Sequence, residues 1–171
     1  MDLETTFIAA LLVAICIFPF LAIGTSIRKK KKLLFHTLNT FCTQHNNTIT
    51  HYELCGEIAI ALCKESNALV FIKRSKHKEI NQIVDLDEIQ KCYTLKPHKT
   101  VRSKSGNYSV IIQLALSLHF EAQEKPELIL EFYNLNDNLQ LDGELQLMER
   151  WNEIINKALN TRQRPKLESV A

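Results

Sequence analysis

Residues 108–120 read YSVIIQLALSLHF, and apolar side chains recur at every second position along most of this stretch. The apolar positions are Val110, Ile112, Leu114, Leu116, Leu118 and Phe120. Because successive side chains of a strand point to opposite faces of a sheet, a period of two predicts a strand with one buried face. Gln113, Ser117 and His119 occupy the other face. The stretch therefore predicts a long strand whose apolar face packs in a core.

The same period extends from this stretch in both directions. Six more strands are predicted at 48–54, 57–63, 68–74, 80–86, 89–96 and 127–134, separated by short stretches typical of turns. After residue 140 the period becomes helical, and one face collects Leu145, Met148, Trp151, Ile155 and Leu159. The sequence thus predicts a mainly β domain of the α+β class, with seven antiparallel strands followed by one amphipathic helix.

This order of elements resembles the pleckstrin-homology-like superfold, in which a C-terminal helix carrying a tryptophan caps a partly open barrel of seven antiparallel strands. Trp151 occupies the matching place, and the resemblance covers residues 48–160. The chain is also similar to small bacterial single-pass membrane-anchored proteins of uncharacterised function. Lipid-binding members of the superfold hold a phosphoinositide with basic residues around the first hairpin, whereas residues 52–57 here read YELCGE. Two glutamates at this turn repel phosphate, so the usual head-group pocket is not expected.

Near the N-terminus, residues 7–27 read FIAALLVAICIFPFLAIGTSI and contain no charged residue. A helix of this length spans about 30 Å, which matches the hydrocarbon core of a bilayer, so the run predicts a transmembrane helix. Asp2 and Glu4 precede the run, and the basic residues 28–32 follow it. Since basic residues stay on the cytoplasmic side, we expect a single-pass membrane protein with its N-terminus outside and its C-terminal domain in the cytoplasm.

These patterns divide the chain into five parts. They are a short extracytoplasmic tail at 1–6, the transmembrane helix at 7–27, a basic collar and linking helix at 28–46, the barrel-like domain with its C-terminal helix at 47–160, and a flexible tail at 161–171. In the linking segment the residues at helical spacing are Leu34, Phe35, Leu38, Phe41 and Cys42. This stripe predicts a second helix, or a continuation of the first, over about 30–45. We expect it to dock on the following domain, with a short coiled-coil stalk as the alternative.

Charge and glycine content exclude several functions. The net charge is +2, and from residue 33 onward the chain carries 16 basic and 17 acidic residues. A domain that binds nucleic acid normally carries an excess of positive charge, so no nucleic acid partner is expected. The four glycines lie far apart, at 24, 56, 106 and 143, which excludes the paired-glycine motifs of nucleotide-binding loops and serine hydrolases.

No group of residues predicts catalysis or a bound metal. Four residues have the side chains of zinc ligands: Cys42, His45, His51 and Cys55. Only five residues separate the two pairs, which is shorter than the loop of a usual structural zinc site. The acidic run at 85–88 is typical of a polar turn, and His119 lies on the outward face of a strand. The five cysteines are odd in number and predict reduced thiols. We therefore expect no enzyme activity, no cofactor and no metal.

Basic side chains are the remaining candidates for binding. The collar residues Arg28, Lys29, Lys30, Lys31 and Lys32 are predicted to contact a membrane surface. Two clusters in connections between strands are predicted contacts for lipid head groups or an acidic partner. The first holds Lys73, Arg74, Lys76 and Lys78, and the second holds Lys99, Arg102 and Lys104. Trp151 is predicted to be structural.

Two functions fit these observations. We predict a membrane-tethered cytoplasmic interaction module without catalytic activity, which presents a sheet edge or a sheet face to a membrane or cytoplasmic protein. The alternative is a peripheral sensor of anionic lipid head groups that uses the basic connections. Apolar side chains on the outward faces of 57–63 and 68–74 would favour the interaction module. The oligomeric state is left open.

Overall fold

The structure, a computed structural model, describes the backbone of residues 3–64, 66–75, 78–103, 106–122 and 124–168. Within these ranges the side chains are described except at 3–11, 14, 18–27, 103 and 162–168. The elements in chain order are α1 (Leu3–Gln44), β1 (Ile49–Cys55), β2 (Ile58–Cys63), β3 (Ala68–Arg74), β4 (Glu79–Asp85), β5 (Ile89–Leu95), β6 (His98–Ser103), β7 (Gly106–Ile111), β8 (Gln113–Phe120), β9 (Leu128–Asn134) and α2 (Glu144–Glu168), with one 3₁₀ turn at Leu86–Glu88.

The strands form three antiparallel sheets. Sheet A is a meander of four strands in the order β1-β2-β3-β4, and sheet B has the order β5-β8-β9. The hairpin β6–β7 is a separate two-stranded sheet, which we call the ribbon. A two-residue turn joins β1 to β2, and Gly56 adopts a φ of +55° there, a conformation that glycine reaches without steric cost.

The described chain has nine strands, not the predicted seven. The strand predicted at 89–96 is followed, after Pro97, by β6, which the prediction missed. The strand predicted at 108–120 is divided at Ile112 into β7 and β8. The other five predicted strands are present with ends that differ by at most one residue. The mainly β character and the C-terminal helix of the prediction are therefore correct, and the strand count is wrong.

An unequal number of paired residues and a proline explain why the strand predicted at 108–120 is divided into β7 and β8. Leu95 pairs with Ala115, and His98 pairs with Ile111, so two residues on one strand oppose three on the other. An extra residue of this kind interrupts a ladder and bends the strand that carries it. Pro97 lies in the shorter segment and has no N–H to donate. The carbonyl of Pro97 continues the pairing by accepting from Ile112 N–H at 3.0 Å.

The main core lies between the inner faces of sheets A and B and is closed by α2. Its large buried side chains are Ile60, Leu69, Phe71, Leu114, Leu116, Leu118, Leu130, Phe132 and Trp151. Trp151 is 0% exposed, and its ring centroid lies 5.5 Å from that of His51 on β1. Burying a large apolar side chain contributes about 1.5–3 kcal/mol, so the closing helix depends strongly on this one ring.

A second core lies on the outer face of sheet A, where the C-terminal part of α1 docks. Leu34, Leu38 and Cys42 are spaced four residues apart, so they line one face of the helix and are all buried. They pack on the outward side chains of β2 and β3, which are Ala59, Ala61, Cys63, Ala68, Val70 and Ile72. The docking predicted for this stripe is present, and β2 and β3 are buried on both faces.

The prediction of a transmembrane helix at 7–27 is contradicted, and with it the single-pass membrane localisation. Among the residues that the structure describes, no helix is both long enough and apolar enough to cross a bilayer. α1 runs without interruption from Leu3 through Arg28–Lys32 to the turns docked on sheet A, so the linking helix is the predicted continuation of the first helix and not a second helix.

The C-terminal end also differs from prediction. We expected a flexible tail at 161–171, but α2 continues to Glu168. The last three predicted tail residues, 169–171, lie outside the described residues.

Candidate functional site

The edge of sheet A at β4 is the first candidate site. β4 pairs with β3 along one side, and no described strand bonds to its other side. At one end of this hairpin, Ser75 and Lys78 exchange backbone hydrogen bonds of 2.8 and 3.3 Å. At the other end, Leu86 N–H donates to the carbonyl of Asn67 at 3.1 Å.

These bonds fix which backbone groups of β4 point outward. Residues of an antiparallel pair exchange hydrogen bonds at alternate positions. Lys78 and Leu86 both bond toward the β3 side, so the even-numbered residues between them do the same. The backbone groups that point away from β3 are those of Glu79, Asn81, Ile83 and Asp85. They form a row about 20 Å long, which we call the open edge.

The side chains of β4 leave the open edge suited to pairing. Charged residues stand only at its two ends, Glu79 and Asp85, and the five residues between them read INQIV. Proline, bulges and central charges are the usual protections of an edge strand. None of these is present within β4, whose pairing with β3 is regular from Glu79 to Asp85.

Side chains of α2 contact two other edge strands of the sheets, β5 and β1. Asn156 on α2 donates its side-chain N–H to the carbonyl of Cys92 on β5 at 3.1 Å. Arg150 on α2 lies 3.4 Å from the carboxylate of Glu53 on β1. The helix therefore contacts the edge strands β5 and β1, whereas no described strand bonds to the outer side of β4.

Two residues of the first predicted basic cluster, Lys73 and Arg74, form ion pairs within the fold. Lys73 is only 7% exposed, and its Nζ lies 2.9 Å from Glu131 and 3.5 Å from Asp137. Arg74 is half-buried and pairs with Glu79 at 3.3 Å. Lys78 is exposed, and Lys76 lies outside the described residues. Lys73 and Arg74 are therefore engaged within the fold, contrary to their predicted contact with a lipid or an acidic partner.

Glu131 is the centre of the polar network that holds Lys73. Burial raises the pKa of Glu131, but hydrogen bonds from Lys73, Asn134 and Gln113 outweigh it and hold the pKa below its ordinary value of 4.5. A cleft of about 230 Å³ opens beside Lys73, between the β1–β2 turn and the end of β9. Its acidic lining residue Glu144 accepts from Asp142 N–H at 2.5 Å at the start of α2. Lys73 and Glu144 of the cleft are thus both paired within the fold.

The second predicted basic cluster lies on the ribbon. Lys99 and Arg102 are exposed on β6, whereas Lys104 lies outside the described residues. Neither Lys99 nor Arg102 forms an ion pair with a described residue. No acidic residue occurs between residues 89 and 120, a stretch with five basic residues, whereas the rest of the chain from residue 33 carries 11 basic and 17 acidic residues. Positive charge is therefore concentrated on and beside the ribbon.

The collar residues Arg28, Lys29, Lys30, Lys31 and Lys32 lie in the middle of α1 with exposed side chains. They precede the docked turns of the helix. Their predicted contact with a membrane surface was derived from the span at 7–27, and no geometry of the described residues supports that contact.

The residues considered as zinc ligands lie in separate surroundings. Cys42 faces β2, His51 packs on Trp151, and Cys55 Sγ donates to the carbonyl of Asp142 at 3.2 Å. His45 Nδ1 lies 2.9 Å from the carbonyl of Phe41 in the last turn of α1. In the described part of the chain, no three His, Cys, Asp or Glu side chains lie close enough to share a metal ion.

The other polar candidates stabilise turns and strand pairs. Asp85 caps the 3₁₀ turn by accepting from Asp87 N–H at 2.8 Å, and Glu88 pairs with Lys125 at 2.7 Å. His119 lies 3.8 Å from the carboxylate of Glu127 and packs edge-on against Tyr93. These contacts are the ones expected of a polar turn and an outward strand face.

The open edge was not identified from the sequence, although β4 itself was predicted. The missing information is the order of strands in the sheet, since a strand at the edge and one in the centre share the same period of two.

Comparisons of the chain with protein-family models, curated proteins and solved structures found no match.

Proposed function

We propose that this protein is an interaction module without catalytic activity, which binds an extended segment of a partner protein along the open edge of β4. The observation that carries this proposal is the row of outward backbone groups from Glu79 to Asp85. A partner strand that pairs with this row would add a fifth strand to sheet A.

Side chains of the protein itself already cover the inner face of sheet A and the outer face of β2 and β3. This favours the edge of the sheet as the binding surface. The inner face is filled by the main core, and the apolar outer face of β2 and β3 is covered by Leu34, Leu38 and Cys42 of α1. The outward apolar side chains that would favour docking on a sheet face are thus already in contact with the chain's own helix. Backbone pairing at β4 requires no displacement of α1.

The test compares two full-length variants, Asn81→Pro and Asn81→Thr. Proline removes one outward N–H and places its ring in the path of an added strand, whereas threonine retains the N–H. In affinity capture from the native cells, we expect partners bound at the edge to be lost with Asn81→Pro and retained with Asn81→Thr. With such a partner bound, the amides of Asn81 and Ile83 should gain protection from hydrogen exchange. An identical set of partners for both variants, or protection confined to other strands, would refute the proposal.

Gln82→Pro is the control for the fold. The N–H of Gln82 points toward β3, so proline there removes a bond of the existing ladder and should destabilise the domain more than Asn81→Pro. Equal destabilisation by both variants would show that the assigned alternation is wrong. A dimer in sedimentation analysis that Asn81→Pro abolishes would identify a second copy as the occupant, and would replace the proposal of a different partner.

A second candidate is binding of anionic lipid head groups by the ribbon. It is supported by the exposure of Lys99 and Arg102 and by their lack of ion pairs with described residues. The acidic remainder of the domain opposes the approach of an anionic surface, so only a projecting element is suited to make this contact.

Vesicles that contain phosphatidylserine test the ribbon. We expect the full chain to bind them at low salt, and the double variant Lys99→Gln, Arg102→Gln to lose most of that binding. Lys78→Gln is the matched control, since it removes one exposed lysine from the other predicted cluster. Equal binding by the wild-type chain and the double variant would contradict this candidate.

A further inference from the structure

Two thiols face each other at the contact between α1 and sheet A. Cys63 Sγ on β2 donates to Cys42 Sγ on α1, and the two sulfur atoms are 3.7 Å apart. Cys42 is 1% exposed and Cys63 is 3% exposed. A disulfide bond is about 2.05 Å long, so side-chain rotation that brings the sulfurs closer by roughly 1.7 Å would allow a bond to form.

Because Cys42 lies on α1 and Cys63 lies on β2, a disulfide bond between them would hold the helix against the sheet. Cys42 lies in the last turns of α1, and its neighbours on the same helix face, Leu34 and Leu38, cover the outer face of β2 and β3. A helix docked by one narrow stripe can undock locally without unfolding of the sheet beneath it. A covalent bond at Cys42 would prevent that opening.

We propose that Cys42 and Cys63 form a reversible disulfide that locks α1 on sheet A. The oxidant is a small disulfide such as oxidised glutathione. One cysteine thiolate attacks a sulfur of the oxidant, forms a mixed disulfide and releases one glutathione thiolate. The second cysteine then attacks the mixed disulfide, forms the Cys42–Cys63 bond and releases the second glutathione. Two protein thiols are oxidised, and one small disulfide is reduced to two thiols.

Local opening of α1 controls the rate of this reaction. Burial and the neighbouring Cys63 raise the pKa of Cys42 to about 12, so its thiol is protonated at neutral pH while the helix is docked. The first attack therefore requires an opening that exposes one thiol. We expect oxidation to become faster as the pH rises toward 9, because the thiolate fraction grows with pH.

The test is a disulfide map of the wild-type full chain after incubation with oxidised glutathione. Digestion with trypsin and a glutamate-specific protease separates the three relevant cysteines, since cleavage after Glu53, Glu57 and Lys64 leaves Cys42, Cys55 and Cys63 on different peptides. We expect a linked pair of peptides that contain Cys42 and Cys63, and its loss on addition of dithiothreitol. A link to Cys55, or glutathione on Cys16 without any Cys42–Cys63 link, would overturn the proposal.

Two further measurements separate a lock from an incidental bond. In the oxidised chain, the amides of residues 34–44 should exchange more slowly than in the reduced chain, and Cys55→Ser should retain this difference while Cys42→Ser abolishes it. Leu38→Ala, which weakens the docking, should speed oxidation by roughly 30-fold or more. Unchanged exchange at 34–44 after complete oxidation would show that the bond does not restrain α1.

Discussion

The hairpin β2–β3 and the ribbon β6–β7 are both antiparallel pairs, yet one is buried on both faces and the other is largely exposed. β2 and β3 read IAIALC and ALVFIKR, whereas β6 and β7 read HKTVRS and GNYSVI. Small outward residues such as Ala59 and Ala61 let α1 approach β2 closely. The ribbon presents charged and hydroxyl side chains that water solvates. The comparison indicates that side-chain content, rather than backbone pairing, decides which hairpin is covered.

The largest loss of stability is expected at Trp151, through which α2 closes the main core. Trp151→Ala should lower the free energy of unfolding by about 3–5 kcal/mol, because the ring is fully buried and its loss leaves a cavity. Urea denaturation measures this value. Tyr108→Ala is the matched control on the ribbon, where the ring is 53% exposed, and it should cost no more than about 1 kcal/mol. Similar losses for both variants would contradict the contrast between the two regions.

The second-largest loss of stability is expected at the contact between α1 and sheet A. Leu38→Ala removes a side chain that is 0% exposed between α1 and sheet A, and the expected loss is about 2–3 kcal/mol. Leu33→Ala, on the same helix and 59% exposed, should change the stability by less than about 0.5 kcal/mol. Hydrogen exchange at residues 34–44 would sharpen the comparison, since opening of α1 alone accelerates exchange there and leaves β2 and β3 protected.

The network around Glu131 predicts a dependence on pH. Its pKa is lower in the folded protein than the 4.5 of the free carboxyl, so the ionised form stabilises the fold above about pH 4.5. This contribution is lost as the pH falls through the folded value. We expect the urea midpoint to drop between pH 7 and pH 3, and the drop to be smaller in Glu131→Gln. Glu153→Gln, an exposed residue of α2, serves as the control. An identical drop in wild type and Glu131→Gln would show that Lys73 is not held by this charge.

The smallest effect is expected on the ribbon. Lys99→Gln with Arg102→Gln should change the free energy of unfolding by less than about 0.5 kcal/mol, because neither side chain pairs with a described residue. Thermal and urea denaturation measure it. A loss above about 1 kcal/mol would mean that these cations stabilise the fold, and would weaken their assignment to binding.

Short-range sequence patterns were sufficient to locate many of the strands and helices. Apolar runs and alternating stretches bounded by turn residues placed β1 to β4 and β9 within one residue at each end, because these signals act within a few residues of the chain. The helical period identified α2 and its buried Trp151, and the stripe at Leu34, Leu38 and Cys42 predicted the docking of α1. The membrane span predicted from the 21 uncharged residues at 7–27 is contradicted, since no helix among the described residues is both long and apolar enough to cross a bilayer.

The candidate site depends on relations that one-dimensional patterns do not contain. The sequence predicted Lys73 as a basic residue exposed in a connection between strands. In the fold it pairs with Glu131 on β9 and with Asp137 just after β9, which are 58 and 64 residues away in the chain. The position of β4 at the edge follows from the strand order, and the two-sided burial of β2 and β3 follows from the return of α1 onto their outer face.

The sequence by itself thus determined the mainly β class, the closing helix and the approximate positions of most strands, because alternation and helical spacing act within a few residues. Only the tertiary structure decided which strand edge stays open, which cations are paired and which thiols meet. Each of these depends on contacts between residues far apart in the chain, and those contacts form only when the sheets and helices pack together.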